Sequence, residues 1–573
     1  MRTEIVKQYV STLKEDDELD YIFPLLLERM GYRLLSTPRQ SKGQPQYGRD
    51  VVALKEYDGQ MTLWLFELKG FRAKDVTDRT LNERDGIIES LNASRYTKYR
   101  DASVPGLSEY PRRYVFVHNG TVDSSALITL NDYVETAFPD KNFERWDLFK
   151  LTGLFSEYLF DETLLTDEES YRLFKKVLAL LDSEGNDYSD IIKLIDLQIE
   201  RLGSSCKETS RNMLNCFATL RLIASMVYYY AQGEGNLYPA KYCIDTMLLK
   251  VWAWILRSKS ESSKKIVGYF NSLVLFQLKV YEEYLNKILK YARMHKGLYS
   301  FIPSDTEYVL YPLRCFDFLG DLIYFYYATE AYVEINDKER ENRLEILKQI
   351  ISNNNACAMP LLDTHSIPLQ MIFKYILTHT PSNADVQFLC EYLADVIVNM
   401  THRYSQQHMW PETNGNRIEL ARSLYDKSDE YGSDSSLFII VVFELIAYLG
   451  IEFLYDHLKS RVESSGVNLQ VAYPIADKYD VEQLLFEHRL YEEMSVQTCI
   501  ELPPTLSEFK ENFRKPYNTL DFRTDGANYG FMILLAHKYY ETDFFPDFLS
   551  REFCSEISDQ SQKYVSKHRS LQV

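Results

Sequence analysis

Two apolar arms face each other across a short polar break early in the chain. Val51-Val52-Ala53-Leu54 runs through Lys55, Glu56 and Tyr57 into Asp58-Gly59, and Gln60 to Leu68 returns with Leu63, Trp64, Leu65 and Phe66 at its centre. Both residues of an Asp-Gly pair tolerate positive φ, so the pattern predicts a β-hairpin. If Tyr57 pairs with Gln60, Asp50 falls opposite Glu67; a three-residue loop or a bulge would break that register. Upstream, Leu19, Ile22, Phe23, Leu26, Leu27 and Met30 recur at spacings of three and four, predicting a helix over Asp16 to Met30 ahead of a Leu34-Leu35 strand. Ser36 to Gln46, with Pro38, Gly43 and Pro45, is expected as an exposed polar loop. Downstream come a helix over Thr80 to Tyr99, a strand at Tyr114 to His118 closed by Asn119-Gly120, a helix over Ser124 to Ala137 and a short strand over Phe143 to Leu148. Together these elements imply an α/β region, a mixed sheet flanked by helices.

From about Leu151 the pattern changes. Long amphipathic stretches follow one another: Glu168 to Leu181, Tyr188 to Leu202, Thr209 to Ala231, Ala240 to Arg257, Lys264 to Met294, Leu313 to Ile335, Glu339 to Ser352 and Val386 to His402. No fixed period marks a solenoid. The expected organisation is therefore an α/β domain over 1–155 and a large all-α region over 156–573, in one or two lobes, available for target sensing, regulation or oligomerisation. The apolar run Leu437 to Tyr455 carries Glu444 and Glu452 on roughly one helical face, which favours a buried helix over a membrane span.

The hairpin also carries chemistry. Side chains alternate along a strand, so Glu67 and Lys69 share one face with Asp50, while Trp64, Phe66 and Leu68 take the other. Two opposed carboxylates repel unless something compensates. With a lysine alongside, they suit a divalent cation held by hard oxygen ligands.

Gly48-Arg49-Asp50 followed by Glu67-Leu68-Lys69-Gly70 resembles the bipartite signature of the PD-(D/E)xK, or restriction-endonuclease-like, nucleases. Met30-Gly31-Tyr32 before the first strand is similar to the Mrr-like branch, and the resemblance covers roughly residues 15 to 155. It implies a restriction-endonuclease-like fold in which Asp50, Glu67 and the Leu68 carbonyl hold Mg²⁺, with Mn²⁺ able to substitute, and Lys69 orients or activates the attacking water. It further implies cleavage that leaves a 5′-phosphate. The family often adds a helical acid, for which Glu18 or Asp20 is the candidate. Pro24 lies in the same segment, and a proline beyond the first turn kinks or ends a helix. Arg39, Lys42 and Arg49 are candidate phosphate contacts, and His118 stands at a strand end from which it could approach the site.

The net charge of −19 is unusual for a protein that meets nucleic acid, but it is unevenly spread. Residues 1–155 hold 22 Lys and Arg against 24 Asp and Glu, leaving −17 on the remainder. Phosphate binding needs local positive charge rather than a basic whole, so the α/β region stays eligible, while the acidic helical part is a poor candidate for wrapping DNA. The aromatic clusters Tyr228-Tyr229-Tyr230, Tyr324-Phe325-Tyr326-Tyr327 and Tyr539-Tyr540 are expected to pack between helices rather than stack bases. Eight scattered cysteines without Cys-x-x-Cys fit reduced thiols in a cytoplasmic protein. No secretory signal is visible in the opening residues, and no membrane partner is expected.

The expected function is a metal-dependent endonuclease acting on DNA more than RNA. A restriction or anti-phage defence setting follows only by analogy with such nucleases joined to helical modules. The alternatives are a non-catalytic protein-interaction scaffold with a degenerate nuclease fold and an RNA-cleaving effector. A partner protein or a second copy of the chain could engage the helical region.

Overall fold

In the computed structural model the described residues are 2–38, 47–70, 75–84, 86–183, 186–203, 211–300, 307–378, 382–411, 435–474, 480–490, 494–497, 499–513 and 522–542. The chain divides into two compact units, Met1–Met247 and Leu248–Val573. The first groups the sheet with the helices that follow it, well past residue 155.

The first unit opens with α1 (Arg2–Val10), a π-type turn (Glu15–Leu19) and α2 (Asp20–Arg29). Strands β1 (Arg33–Ser36), β2 (Val51–Tyr57) and β3 (Gln60–Lys69) follow, then β4 (Asp75–Val76), α3 (Asp78–Asn82) and α4 (Ile87–Tyr96). Next come β5 (Arg112–His118), β6 (Thr121–Val122), α5 (Ser124–Ala137), β7 (Phe143–Trp146) and α6 (Leu148–Tyr158). The main sheet has the order β1-β2-β3-β5-β7. Its first three strands are antiparallel and the last three parallel, so it is mixed as the patterning implied.

The hairpin register holds along its length, from Tyr57 opposite Gln60 to Val51 opposite Phe66. Asp58 and Gly59 both take positive φ, 51° and 76°, as a tight Asp-Gly turn requires. Alternation then sorts the two arms. Phe66 meets Phe23 of α2 at 5.4 Å and Trp146 at 5.5 Å between ring centroids, and Tyr32 meets Trp64 at 5.5 Å. On the opposite face Val52, Leu54, Leu63 and Leu65 pack with Tyr114, Ala137 and Phe138, next to a second cluster of Ile87, Leu91, Phe116 and Leu130. Helices thus cover both faces of the sheet. Edge-to-face aromatic pairs of this kind add about 1 kcal/mol each to the area they bury.

Two helical expectations are each split at a glycine. The stretch from Thr80 to Tyr99 is two helices, because Gly86 sits extended at the start of α4 and breaks the run. Leu437 to Tyr455 is likewise split, into Phe438–Leu449 and Glu452–Ser465, by Gly450 in the left-handed region at φ 71°. Among the described residues no helix is long and apolar enough to cross a membrane.

The second unit is mostly helical, with long members at Lys264–Ala292, Glu307–Glu330 and Asn383–Gln407. It also contains two small strand pairs that the patterning did not reveal, Ser435–Ser436 with Asn468–Leu469 and Val471–Pro474 with Met494–Gln497. Tyr324 and Tyr326 are buried among helices rather than displayed. Cys216, Cys243, Cys315 and Cys357 are buried free thiols; Cys206 and Cys554 lie outside the described residues.

Candidate active site

The hairpin delivers its acids to one end of the sheet. The Asp50 amide donates to the Phe66 carbonyl at 2.8 Å, although Phe66 is already the register partner of Val51, so the regular ladder ends at Val51 and Asp50 is not paired across from Glu67 in it. Its carboxylate Oδ2 accepts from the Leu68 amide at 2.7 Å, which ties it to the strand that carries Glu67 and Lys69. Glu67 is buried, at 3 % exposure, and its Oε1 lies 3.2 Å from Lys69 Nζ. The three residues named from the bipartite signature therefore stand together.

What brings Asp50 into place is an unusual approach. Tyr47 and Gly48 are consecutive left-handed residues, with φ of 51° and 69°. A Cβ on Gly48 would fall 1.8 Å from the Ser90 carbonyl oxygen of α4, so only glycine fits. The same helix turn serves the site from the other side, since the Ser90 side chain hydrogen-bonds Glu67.

The electrostatics follow from crowding. Burial, then the neighbouring Glu67, pushes the Asp50 carboxyl up to about 7. Burial also raises Glu67, against the opposing pull of Lys69 and Ser90. For Lys69, burial alone would depress the ammonium, but Glu67, Glu15 and Asp50 outweigh it and hold the group above the ordinary lysine range. The cluster is a pair of reluctant acids around a firmly protonated lysine.

The acid from this segment that joins the cluster is Glu15, not Glu18. Lys69 Nζ lies 3.1 Å from Glu15 Oε1, and the Gly70 amide donates to Glu15 Oε2 at 3.0 Å. Glu18 instead accepts from the Lys14 amide at 2.6 Å, bonding back onto its own turn. The cause is local: Asp16 and Asp17 leave helical geometry, Asp17 with φ 65°, so the helix that periodicity started at Asp16 begins only at Asp20. Pro24 sits inside that helix, beyond its first turn.

Arg49 is not placed to meet a phosphate. It is buried at 7 % exposure, its Nη1 donates to the Thr97 carbonyl at 2.9 Å, and its guanidinium lies over the Tyr99 ring. Arg39 and Lys42 lie outside the described residues. His118 is fully buried and stacked on Phe116, and burial lowers its imidazole to about 4, leaving it neutral at physiological pH.

Comparison with protein-family models, curated proteins and solved structures returned no match. The site therefore speaks through its own chemistry. Among the described residues no group of three His, Cys, Asp or Glu side chains stands ready for a metal ion. Mg²⁺ does not require one, because it retains several waters and is commonly bound through one or two carboxylates plus substrate phosphate. Two neighbouring carboxylates of raised proton affinity, Glu67 buried and Asp50 partly so, are a fitting donor set for it.

Proposed function

We propose that the N-terminal α/β region is a metal-dependent nuclease of the PD-(D/E)xK type, closest to its Mrr-like branch, that hydrolyses DNA. The observation that carries this reading is the Asp50, Glu67 and Lys69 cluster: two acids at adjoining strand ends, close enough for Glu67 to raise the Asp50 carboxyl, with an ammonium 3.2 Å from one of them. A structural ion pair needs only one acid per base. Burying a second carboxylate is costly, and such surplus acids gather where function demands them.

Asp50 and Glu67 would hold Mg²⁺ or Mn²⁺, with the Leu68 carbonyl as a third oxygen. The bound ion would stabilise charge on the scissile phosphate and acidify a water. Lys69 stays protonated and therefore acts as a donor, orienting the water and balancing negative charge on the phosphate, rather than as the base. Attack of the water oxygen on phosphorus breaks the bond to the 3′ oxygen; the water gives up its proton to solvent and the leaving 3′ oxygen takes one up from solvent, so the products are a 5′-phosphate and a 3′-hydroxyl. Gly48 and Ser90 fix where the acids stand.

The helical part, which carries most of the net negative charge, is a poor wrapper of DNA and a better regulator or partner-binding module. A restriction or anti-phage defence setting, and a cytoplasmic location, fit that division of labour. The rival is a non-catalytic scaffold, favoured by the closure of Lys69 between Glu67 and Glu15 into a self-contained ionic cluster. Purified protein with Mg²⁺ or Mn²⁺ on linear, circular and single-stranded DNA and on RNA separates these readings. Metal-dependent cleavage lost in Asp50→Ala and Lys69→Ala supports the nuclease, and cleavage of RNA alone points to the effector reading.

A further inference from the structure

We infer that Asn119 is a positioning residue for the Lys69 ammonium, acting through Glu15. The inference takes its kinetic consequence from the nuclease reading, but its structural content stands apart from it. Asn119 directly follows β5, whose last residue, His118, is the register partner of Lys69 on β3. Its carboxamide is buried at 3 % exposure. Nδ2 donates to the Val10 carbonyl at 2.9 Å and to the Leu13 carbonyl at 2.8 Å. An amide NH₂ has two hydrogens, and both are spent here on carbonyls at and just beyond the end of α1, the Val10 carbonyl also accepting from the Leu13 amide at 3.3 Å.

Glu15 lies two residues beyond Leu13, and the chain between is held at every step. Asn119 fixes Leu13, the Glu18 carboxylate fixes the Lys14 amide at 2.6 Å, and the Gly70 amide fixes Glu15 itself. The approach is tight: a Cβ on Gly70 would fall 2.3 Å from the Glu15 nitrogen. The strap thus has one end clamped by the residue after β5 and the other seated on the residue after β3. Glu15 meets Lys69 because both of those strand ends hold it there. Nothing in this chain of contacts requires Glu15 to touch a metal ion, which separates its role from that of a ligand.

Three measurements on the full-length protein test this. The first is the rate at which acetic anhydride acylates Lys69 at fixed pH, followed by mass spectrometry; it needs no catalysis. Asn119→Ala and Glu15→Gln should each raise Lys69 labelling severalfold over wild type, with other lysines unchanged. The second is cleavage kinetics, where each variant should lose about 10-fold to 100-fold in kcat, as supporting partners of a site usually do, with KM and Mg²⁺ affinity little altered. The third is the double variant, which should be no worse than the weaker single one, because both changes cut one chain of contacts. Additive losses, or unchanged Lys69 labelling in Asn119→Ala, overturn the inference. A weakened Mg²⁺ affinity in Glu15→Gln also overturns it, by making Glu15 a ligand. Should Asn119→Ala fail to fold, Asn119→Ser, with one hydroxyl donor, carries the same expectations. If wild type cleaves nothing yet labelling shifts as described, the nuclease reading fails and the positioning stands.

Discussion

Replacing Asp50 with asparagine is expected to stabilise the metal-free protein at alkaline pH while abolishing its activity. Burial and the adjacent Glu67 push the Asp50 carboxyl from an ordinary 3.8 up to about 7. A group whose folded value is raised contributes stability in full below its unfolded value, about pH 4, and that contribution disappears as pH rises through about 7. At pH 8 the ionised carboxylate therefore costs up to about 4 kcal/mol, at about 1.4 kcal/mol per pH unit. Two effects reduce the gain from removing it. Asp50 keeps some contact with solvent, and the Leu68 amide loses a charged acceptor worth about 1 kcal/mol beyond a neutral one. The expected net stabilisation at pH 8 is about 2 kcal/mol, or roughly 6 °C in the transition of the N-terminal unit. Urea and thermal unfolding of both proteins from pH 5 to pH 8 would show it, and the advantage should be gone by pH 5. Mg²⁺ at pH 8 should raise the wild-type midpoint and leave the variant unmoved. An Asp50→Asn protein that is no more stable than wild type at pH 8, or whose advantage is the same at pH 5, would refute the claim that this carboxylate is held against its own preference.

Lys69→Ala should abolish cleavage and destabilise the protein by about 3 kcal/mol at pH 8, because it leaves Glu67 buried beside Asp50 without its cation; denaturant titration should show a smaller loss at pH 5, where the acids can take up protons. Gly48→Ala should cost about 3 kcal/mol or more, since its Cβ would collide with the Ser90 carbonyl in a left-handed conformation. Gly31→Ala, at φ 84° with no atom within 4 Å of the new Cβ, should cost only about 1 kcal/mol, and unfolding midpoints distinguish the two. In the second unit, Asn354 is fully buried and donates to Ala292 and Ile350 carbonyls while accepting from the Leu298 amide and the Tyr311 hydroxyl. Asn354→Ala should cost about 3 kcal/mol by stranding those partners, measured by calorimetry of the full chain.

What the chain discloses by itself depends on the range of the interaction. The hairpin and its register from Tyr57 to Val51 were legible because period-two alternation and an Asp-Gly turn are local and leave little freedom, whereas the pairing of Asp50 with Glu67 expected from the same register is not part of it. Glu15 was not legible. The run Glu15-Asp16-Asp17-Glu18 offers four acids in a row, and which one faces Lys69 is decided by a left-handed Asp17 and by the Asn119 clamp from a hundred residues away. Arg49 differs for the opposite reason: a charged residue next to two acids and a lysine suggests phosphate, whereas Tyr99 and the Thr97 carbonyl, contributed by the end of α4 and the loop after it, bury it. Apolar periodicity overran the glycines at 86 and 450, because a helix signal averaged over many residues does not register one residue that stops it.

The central claim is that Asp50, Glu67 and Lys69 form a phosphodiester-cleaving centre, and its most direct test is a cleavage assay on linear, circular and single-stranded DNA with Mg²⁺ or Mn²⁺. Wild type should yield metal-dependent fragments bearing 5′-phosphates, and both Asp50→Ala and Lys69→Ala should yield none while remaining folded. Cleavage that persists in either variant, or a wild-type protein that leaves every substrate intact with either metal, would contradict it.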